Sequence, residues 1–224
     1  MEALIRWQKS DRLILPAEFI YAAEESDLII PMTQWVLHTA SMQNKTWQEE
    51  GLPKISVAIN LSINNLNMQL LEAVEQTLKL SNLNPDCLEV ELTESILMKN
   101  VENNIQILRD LKKMGLKIAI DDFGTGYSSL SYLKRFPIDY LKIDQSFVRD
   151  IVTNEDDSAI VVAIIAMAHS LGFKVIAEGV ETQEQLAFLA KHDADEIQGY
   201  YFSHPLSAEE ATKFLKREMT SQKI

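Results

Sequence analysis

Short apolar stretches alternate with amphipathic ones along the chain. The apolar ones read as strands: "EALIRW", "ISVAINLS", "CLEVELT", "KIAIDDF", "DYLKIDQ", "FKVIAEGV" and "DEIQGYYF". Between them the spacing predicts helices over residues 31–50, 65–80, 101–114, 157–171 and 184–192. A shorter helix is expected at 128–135, and a last one after Ser207. Gly115 and Gly172 stand where helices should stop, just before the next strand. Strands that alternate with helices imply a parallel sheet, either doubly wound or closed into a barrel.

Successive strand residues point to opposite faces, which helps to choose between the two. Val57 and Ile59 share one face, Ser56, Ala58 and Asn60 the other. Leu88, Val90 and Leu92 oppose Glu89 and Glu91. Ile118 and Ile120 oppose Ala119 and Asp121. Leu141 and Ile143 oppose Tyr140, Lys142 and Asp144. Val175 and Ala177 oppose Ile176 and Glu178, and Ile197 opposes Gln198. An open sheet covered on both sides would want both faces apolar. In a barrel the aliphatic faces pack on outer helices and the others point inward. Working residues of such barrels stand at the C-terminal ends of strands. Here those ends carry Asn60, Glu91, Asp121 with Asp122, Lys142, Glu178 and Gln198. Seven strands are visible where a (β/α)8 barrel needs eight, and Glu2 opens its strand. The expectation is a TIM-type (β/α)8 barrel over 1–224 as one domain, with a first strand lying upstream of residue 1.

Composition changes this picture little. The 224 residues are 46% hydrophobic and 24% charged, as in an ordinary globular protein. A formal net charge of -12 argues against a broad duplex-binding surface, which needs a basic face. It leaves room for a small anionic ligand held by a metal or by local cations. Cys87 is the only cysteine, so no intrachain disulfide can form. The apolar run "AIVVAIIAMA" is too short for the roughly 20 residues of a spanning helix. The stretch "MEALIRWQKS" has no apolar h-region, so no signal peptide is expected there. A cytoplasmic location without membrane contact is expected, the chain being one part of a larger protein that is itself free or membrane-anchored.

Two adjacent aspartates at the end of a buried strand raise the cost of ionising each other, and a divalent cation removes that cost. Asn60, Glu91, Asp121, Asp122 and Glu178 offer hard oxygen ligands suited to magnesium, manganese or calcium. Two such ions stabilise the attacking and leaving oxygens of a phosphoryl displacement, and Lys142 could orient water or neutralise charge. Glu89 sits lower on its strand and is expected to pair inside the barrel. "GTGYSS" lacks the third glycine of a dinucleotide loop and the lysine of a P-loop. His38, His169, His192 and His204 show no HExxH spacing and read as structural or surface groups.

The motifs "EALIRW", "AINLS", "ELTES", "IDDFGTGYSSLSYLKRFPIDYLKID", "AEGVET" and "QGYYFSHPL" stand in one order over nearly the whole chain. In them the sequence resembles an EAL domain, the bacterial cyclic-di-GMP phosphodiesterase family. The resemblance implies a modified (β/α)8 barrel with an antiparallel first strand. It also implies hydrolysis of cyclic-di-GMP to linear pGpG with two magnesium or manganese ions, calcium inhibiting. Glu2, Asn60, Glu91 and Asp121 would hold the first ion, and Asp121, Asp122 and Glu178 the second. Lys142 would contact the nucleophilic water, and Arg6 would face a ligand phosphate. Asp144, Glu181 and Gln198 would support the site or the ligand. The loop at 123–130 matches the family's regulatory loop, braced by Glu94 and Ser128 and leading to a homodimer interface with the following helix. An upstream sensor or diguanylate cyclase (GGDEF) domain would complete the protein. The alternatives are a catalytically silent cyclic-di-GMP receptor and an unrelated metal-dependent barrel enzyme acting on an enolisable acid.

Overall fold

The computed structural model describes residues 1–126 and 130–221. Strand β1 (Glu2–Ala3) is followed by a hairpin of β2 (Trp7–Lys9) and β3 (Arg12–Ile14), then by α1 (Pro16–Glu25) and α2 (Ile29–Glu49). Next come β4 (Val57–Asn60), α3 (Met68–Ser81), β5 (Leu88–Thr93), α4 (Glu94–Leu97) and α5 (Val101–Lys113). β6 (Lys117–Phe123) leads to α6 (Leu130–Leu133), and β7 (Tyr140–Ile143) to α7 (Gln145–Arg149) and α8 (Glu155–Ser170). β8 (Lys174–Ala177), α9 (Gln183–Lys191), β9 (Glu196–Ile197) and α10 (Ala208–Ser221) follow. Strand order in the main sheet is β1-β4-β5-β6-β7-β8-β9. The pairs β1–β4, β6–β7, β7–β8 and β8–β9 are parallel.

All seven expected strands are present, most of them shorter than the apolar runs that announced them. "EALIRW" is not one strand. It is paired with β4 only through Glu2 and Ala3, and from Trp7 the chain pairs antiparallel with β3. The helix expected at 65–80 starts only at Met68, because Asn67 caps α3 by accepting from the backbone N–H groups of Gln69 and Leu70. The short helix expected at 128–135 is seen as Leu130–Leu133, and residues 127–129 fall outside the described part. Three helices, α1, α4 and α7, have no counterpart in the sequence reading. α4 and α7 are too short for a 3.6-residue periodicity to show.

The chain forms two compact units. The first comprises Met1–Val90, Asp110–Leu116 and Pro205–Ile224. Its longest helix, α2, buries Ile29, Thr33, Leu37, Ser41, Asn44 and Trp47, one side chain every three or four residues. Trp47, Leu52, Val57 and Ala211 cluster with Leu215 and Met219 of α10. The Trp47 indole N–H donates to Thr212 Oγ1 at 2.7 Å, so the polar edge of a buried ring is satisfied where α10 docks. Buried Asn44 donates to the carbonyls of Ile55 (3.0 Å) and Cys87 (3.1 Å), which ties α2 to the starts of two strands.

The second unit comprises Glu91–Arg109 and Lys117–His204. Here the two-faced strands do what their alternation implied. Ile118, Ile120, Leu141, Ile143, Val175 and Ala177 are fully buried. α8 packs on β7 and β8 with Val161, Ile164, Ile165 and Ala168 buried. The other face holds a small apolar cluster of Ala119, Tyr140 and Ile176. Two residues further along the same three strands stand Asp121, Lys142 and Glu178. The charged layer thus rests on an apolar one, which strengthens its electrostatics.

Candidate active site

The site begins with an irregularity in β6. Ile120 pairs with Leu141 and Phe123 with Ile143, so three steps of β6 match two of β7. The extra residue is a bulge, and Asp122 takes it up with a left-handed φ of 53°. In a regular strand, adjacent side chains would diverge to opposite faces. The bulge is where that rule is broken, and Asp121, Asp122 and Glu178 each bring a carboxylate oxygen within 4.8 Å of the others.

Lys142 stands among these carboxylates and is fully buried. Its Nζ lies 2.7 Å from Glu178 Oε1, 2.8 Å from Glu91 Oε2 and 3.3 Å from Asp121 Oδ1. Glu91 is 2% exposed, so this is a buried network and not a screened surface pair. The ammonium does in this structure what a cation must do here: it draws carboxylates from three strands to one point.

Asp122 is the carboxylate most affected by the crowding. Burial, then the charges of Asp121 and Asp144 and a hydrogen bond with the Asp144 side chain, push its pKa up from 3.8 to about 6, against the pull of Lys142. Ionised Asp122 therefore opposes folding when no cation is bound. The stability kept by its protonated form is fully present below the unfolded value and is lost as the pH rises through about 6. A cation needs the ionised form. Manganese affinity is therefore expected to fall about tenfold per pH unit below that value, a slope that calorimetric titration between pH 5 and 7.5 would read.

α7 lies against the turns that follow β6 and β8. Asp144 caps it by accepting from the Ser146 N–H at 2.9 Å. The place where a Gly124 Cβ would stand is 2.8 Å from the Phe147 ring, so the turn after β6 lies directly on α7. Gly179, with φ of 68°, lies against Gln145 in the same manner. Buried Glu94 accepts from the Gly124 N–H at 3.2 Å through Oε2. Ser128, its expected companion, lies outside the described residues. Glu181 is exposed, and its backbone N–H is what the structure engages, donating to Gln185 Oε1 at 2.8 Å. Gln198 follows β9, and its main chain pairs with Ala177 and Val180. Gly199 beside it admits no side chain, since a Cβ would stand 2.1 Å from the Val180 carbonyl oxygen. Gly199→Ala is expected to cost about 3 kcal/mol or more, measurable by urea unfolding.

In the first unit, Asn60 Nδ2 donates to Glu2 Oε1 at 2.6 Å, which joins two of the expected ligands across the β1–β4 pair. Arg6 donates to the neighbouring Ile5 carbonyl at 2.9 Å and lines one concavity with Glu2, Trp35 and Gln43. Glu89 is buried as expected, with Ser56 Oγ 3.5 Å from it. Among the histidines, His169 pairs with Asp195 at 2.8 Å, where Asp195 also accepts from the Val175 N–H. This pair stands at the starts of the strands, away from the carboxylates.

The second unit's donor set fits a hard divalent cation. Glu91, Asp121, Asp122 and Glu178 present carboxylate oxygens against the single ammonium of Lys142. Excess negative charge on half-buried to buried oxygen-only donors suits an ion of the magnesium, manganese and calcium group. No helix among the described residues is long and apolar enough to cross a membrane.

Residues 1–205 match the EAL domain family. The chain is 43% identical over 219 residues to the cyclic di-GMP phosphodiesterase PdeR of Escherichia coli, covering 97% of this chain and 33% of that protein. With the cyclic di-GMP phosphodiesterase NbdA of Pseudomonas aeruginosa it shares 42% identity, over 96% of this chain and 28% of the relative. It spans about a quarter to a third of the length of the curated relatives it matches. Among solved structures, the PaMucR phosphodiesterase in complex with c-di-GMP superposes with a TM-score of 0.90 at 40% identity, over 94% of this chain and 86% of that one. That likeness bears out the expected fold class, a modified TIM barrel. By sequence and by fold alike, this chain belongs to the EAL domain family.

Proposed function

We propose that this chain hydrolyses cyclic di-GMP to linear pGpG. The observation that carries the reading is buried Lys142 contacting Glu91, Asp121 and Glu178 beside Asp122. Relatives named as cyclic di-GMP phosphodiesterases support it. The proposed cofactor is a pair of magnesium or manganese ions, with calcium inhibiting. Asp121, Asp122 and Glu178 would hold one ion, and Glu2, Asn60 and Glu91 are proposed as further ligands. When bound, the ions would lower the pKa of a water and neutralise charge on phosphate oxygens.

The remaining work falls to the chain. Lys142 keeps Glu91, Asp121 and Glu178 converged, so little reorganisation is needed when the substrate arrives. The apolar layer of Ala119, Tyr140 and Ile176 excludes water from below. Arg6 is proposed to meet a phosphate and Gln198 the ligand. Asp144, Glu94, Glu181 and Ser128 are proposed as supports. The proposal extends to a homodimer through the loop at 123–130 and the following helix. It also places the chain in the cytoplasm, within a longer signalling protein that carries an upstream sensor or GGDEF domain.

The test is incubation of purified protein with cyclic di-GMP, first without metal and then with magnesium or manganese restored. Production of pGpG only with metal is the expected result. Binding of cyclic di-GMP by a folded protein with no turnover under any metal would overturn the reading in favour of a silent receptor.

A further inference from the structure

Gln185 has more hydrogen bonds than its place in a helix requires. It is 6% exposed and stands in the first turn of α9. As the partner of Thr182 in a capping box it accepts from the Thr182 N–H at 3.0 Å, while its own N–H donates to Thr182 Oγ1 at 3.2 Å. Three further bonds have nothing to do with the cap. Oε1 also accepts from the Glu181 N–H at 2.8 Å. Nε2 donates to the carbonyls of Val148 (3.2 Å) and Arg149 (3.0 Å) at the C-terminal end of α7. Those carbonyls are otherwise helix-end acceptors in need of donors.

Gln185 thus joins the loop that leaves Glu178 to the helix that starts from Asp144. The join has two ends. At the far end Gln185 grips Val148 and Arg149, and at the near end Gly179 lies on Gln145. α7 in turn carries Phe147 against Gly124, the turn that leaves Asp121 and Asp122, and is capped by Asp144. We infer that Gln185 is a positioning residue which, through α7, fixes the spacing between the Glu178 carboxylate and the Asp121–Asp122 pair, and so sets the affinity of the cation site. This rests on the reading of those carboxylates as a cation site.

The experiment measures manganese binding by the loss of the free-ion electron paramagnetic resonance signal, together with kcat and KM for cyclic di-GMP. Gln185→Met keeps the volume and removes every side-chain hydrogen bond. Gln185→Glu keeps an acceptor for the loop but turns a second oxygen on the α7 carbonyls. Thr182→Val disturbs the cap and leaves the α7 join intact. Expected are a tenfold or greater loss of manganese affinity in both Gln185 variants, and a similar fall in kcat with KM within twofold. Exchange of the Glu181 and Thr182 amide protons should also quicken. Thr182→Val is expected to lower the melting temperature without moving manganese affinity.

Manganese affinity unchanged in both folded Gln185 variants, or lowered equally by Thr182→Val, would overturn the inference and reduce Gln185 to a cap. If one Gln185 variant does not fold, the other decides. The binding and exchange measurements need no turnover, so an inactive parent protein would refute the proposed function without touching this result.

Discussion

Asp121→Ala is expected to lower turnover of cyclic di-GMP by about a thousandfold or more, equivalent to roughly 4 kcal/mol of transition-state stabilisation. Asp121, like Glu178, belongs both to the candidate ion-binding trio and to the contacts of Lys142, and it alone of the two adjoins Asp122. Its loss removes an oxygen donor and leaves Asp122 without its neighbour. The fold should survive, because alanine is tolerated at the end of a buried strand and the repulsion between the two aspartates is relieved. The Asp122 carboxyl should then move back down toward its ordinary range, which carbon-detected NMR titration would follow. Glu91→Ala should be inactive for a related reason, as it deletes the 2.8 Å partner of Lys142. Rates unchanged in a folded Asp121→Ala protein would remove the role assigned to this carboxylate.

Lys142→Met is expected to act on stability as well as on activity. It leaves Glu91 and Glu178 facing each other across a site with no countercharge. Breaking one side of a buried ion pair costs about 3–5 kcal/mol. Urea unfolding of the metal-free variant at pH 7.5 should show a loss of that size, and added manganese should return part of it by binding the folded form. A loss below about 1 kcal/mol would mean that the network is as weak as a surface pair, and would contradict its place in the site.

Much of this was legible in the sequence because strand residues alternate. The steady opposition of Ile118 and Ile120 to Ala119 and Asp121, repeated on β7 and β8, placed the charged side chains on one face before any coordinates. The strand ends were less legible. Only the pairing with β7 reveals that Asp122 sits in a bulge, and nothing in "IDDFG" distinguishes that from a regular strand running into a turn. The convergence of Lys142 Nζ on three carboxylates is set by neighbouring strands and is not written in its own strand. The hairpin of β2 and β3 escaped notice because its turn, Ser10–Asp11, lacks glycine, and Ser10 itself adopts the left-handed conformation. Gln185 shows the limit most clearly. The pair Thr182 and Gln185 spells a helix cap in sequence, but the bonds to Val148 and Arg149 exist only because α7 ends beside it.

A divalent cation held where β6 and β8 end is the central claim. Anomalous diffraction from crystals grown with manganese tests this most directly. A peak in contact with oxygens of Asp121, Asp122 and Glu178 is the predicted result. Crystals saturated with manganese that show no peak there, with those three side chains ordered, would contradict it.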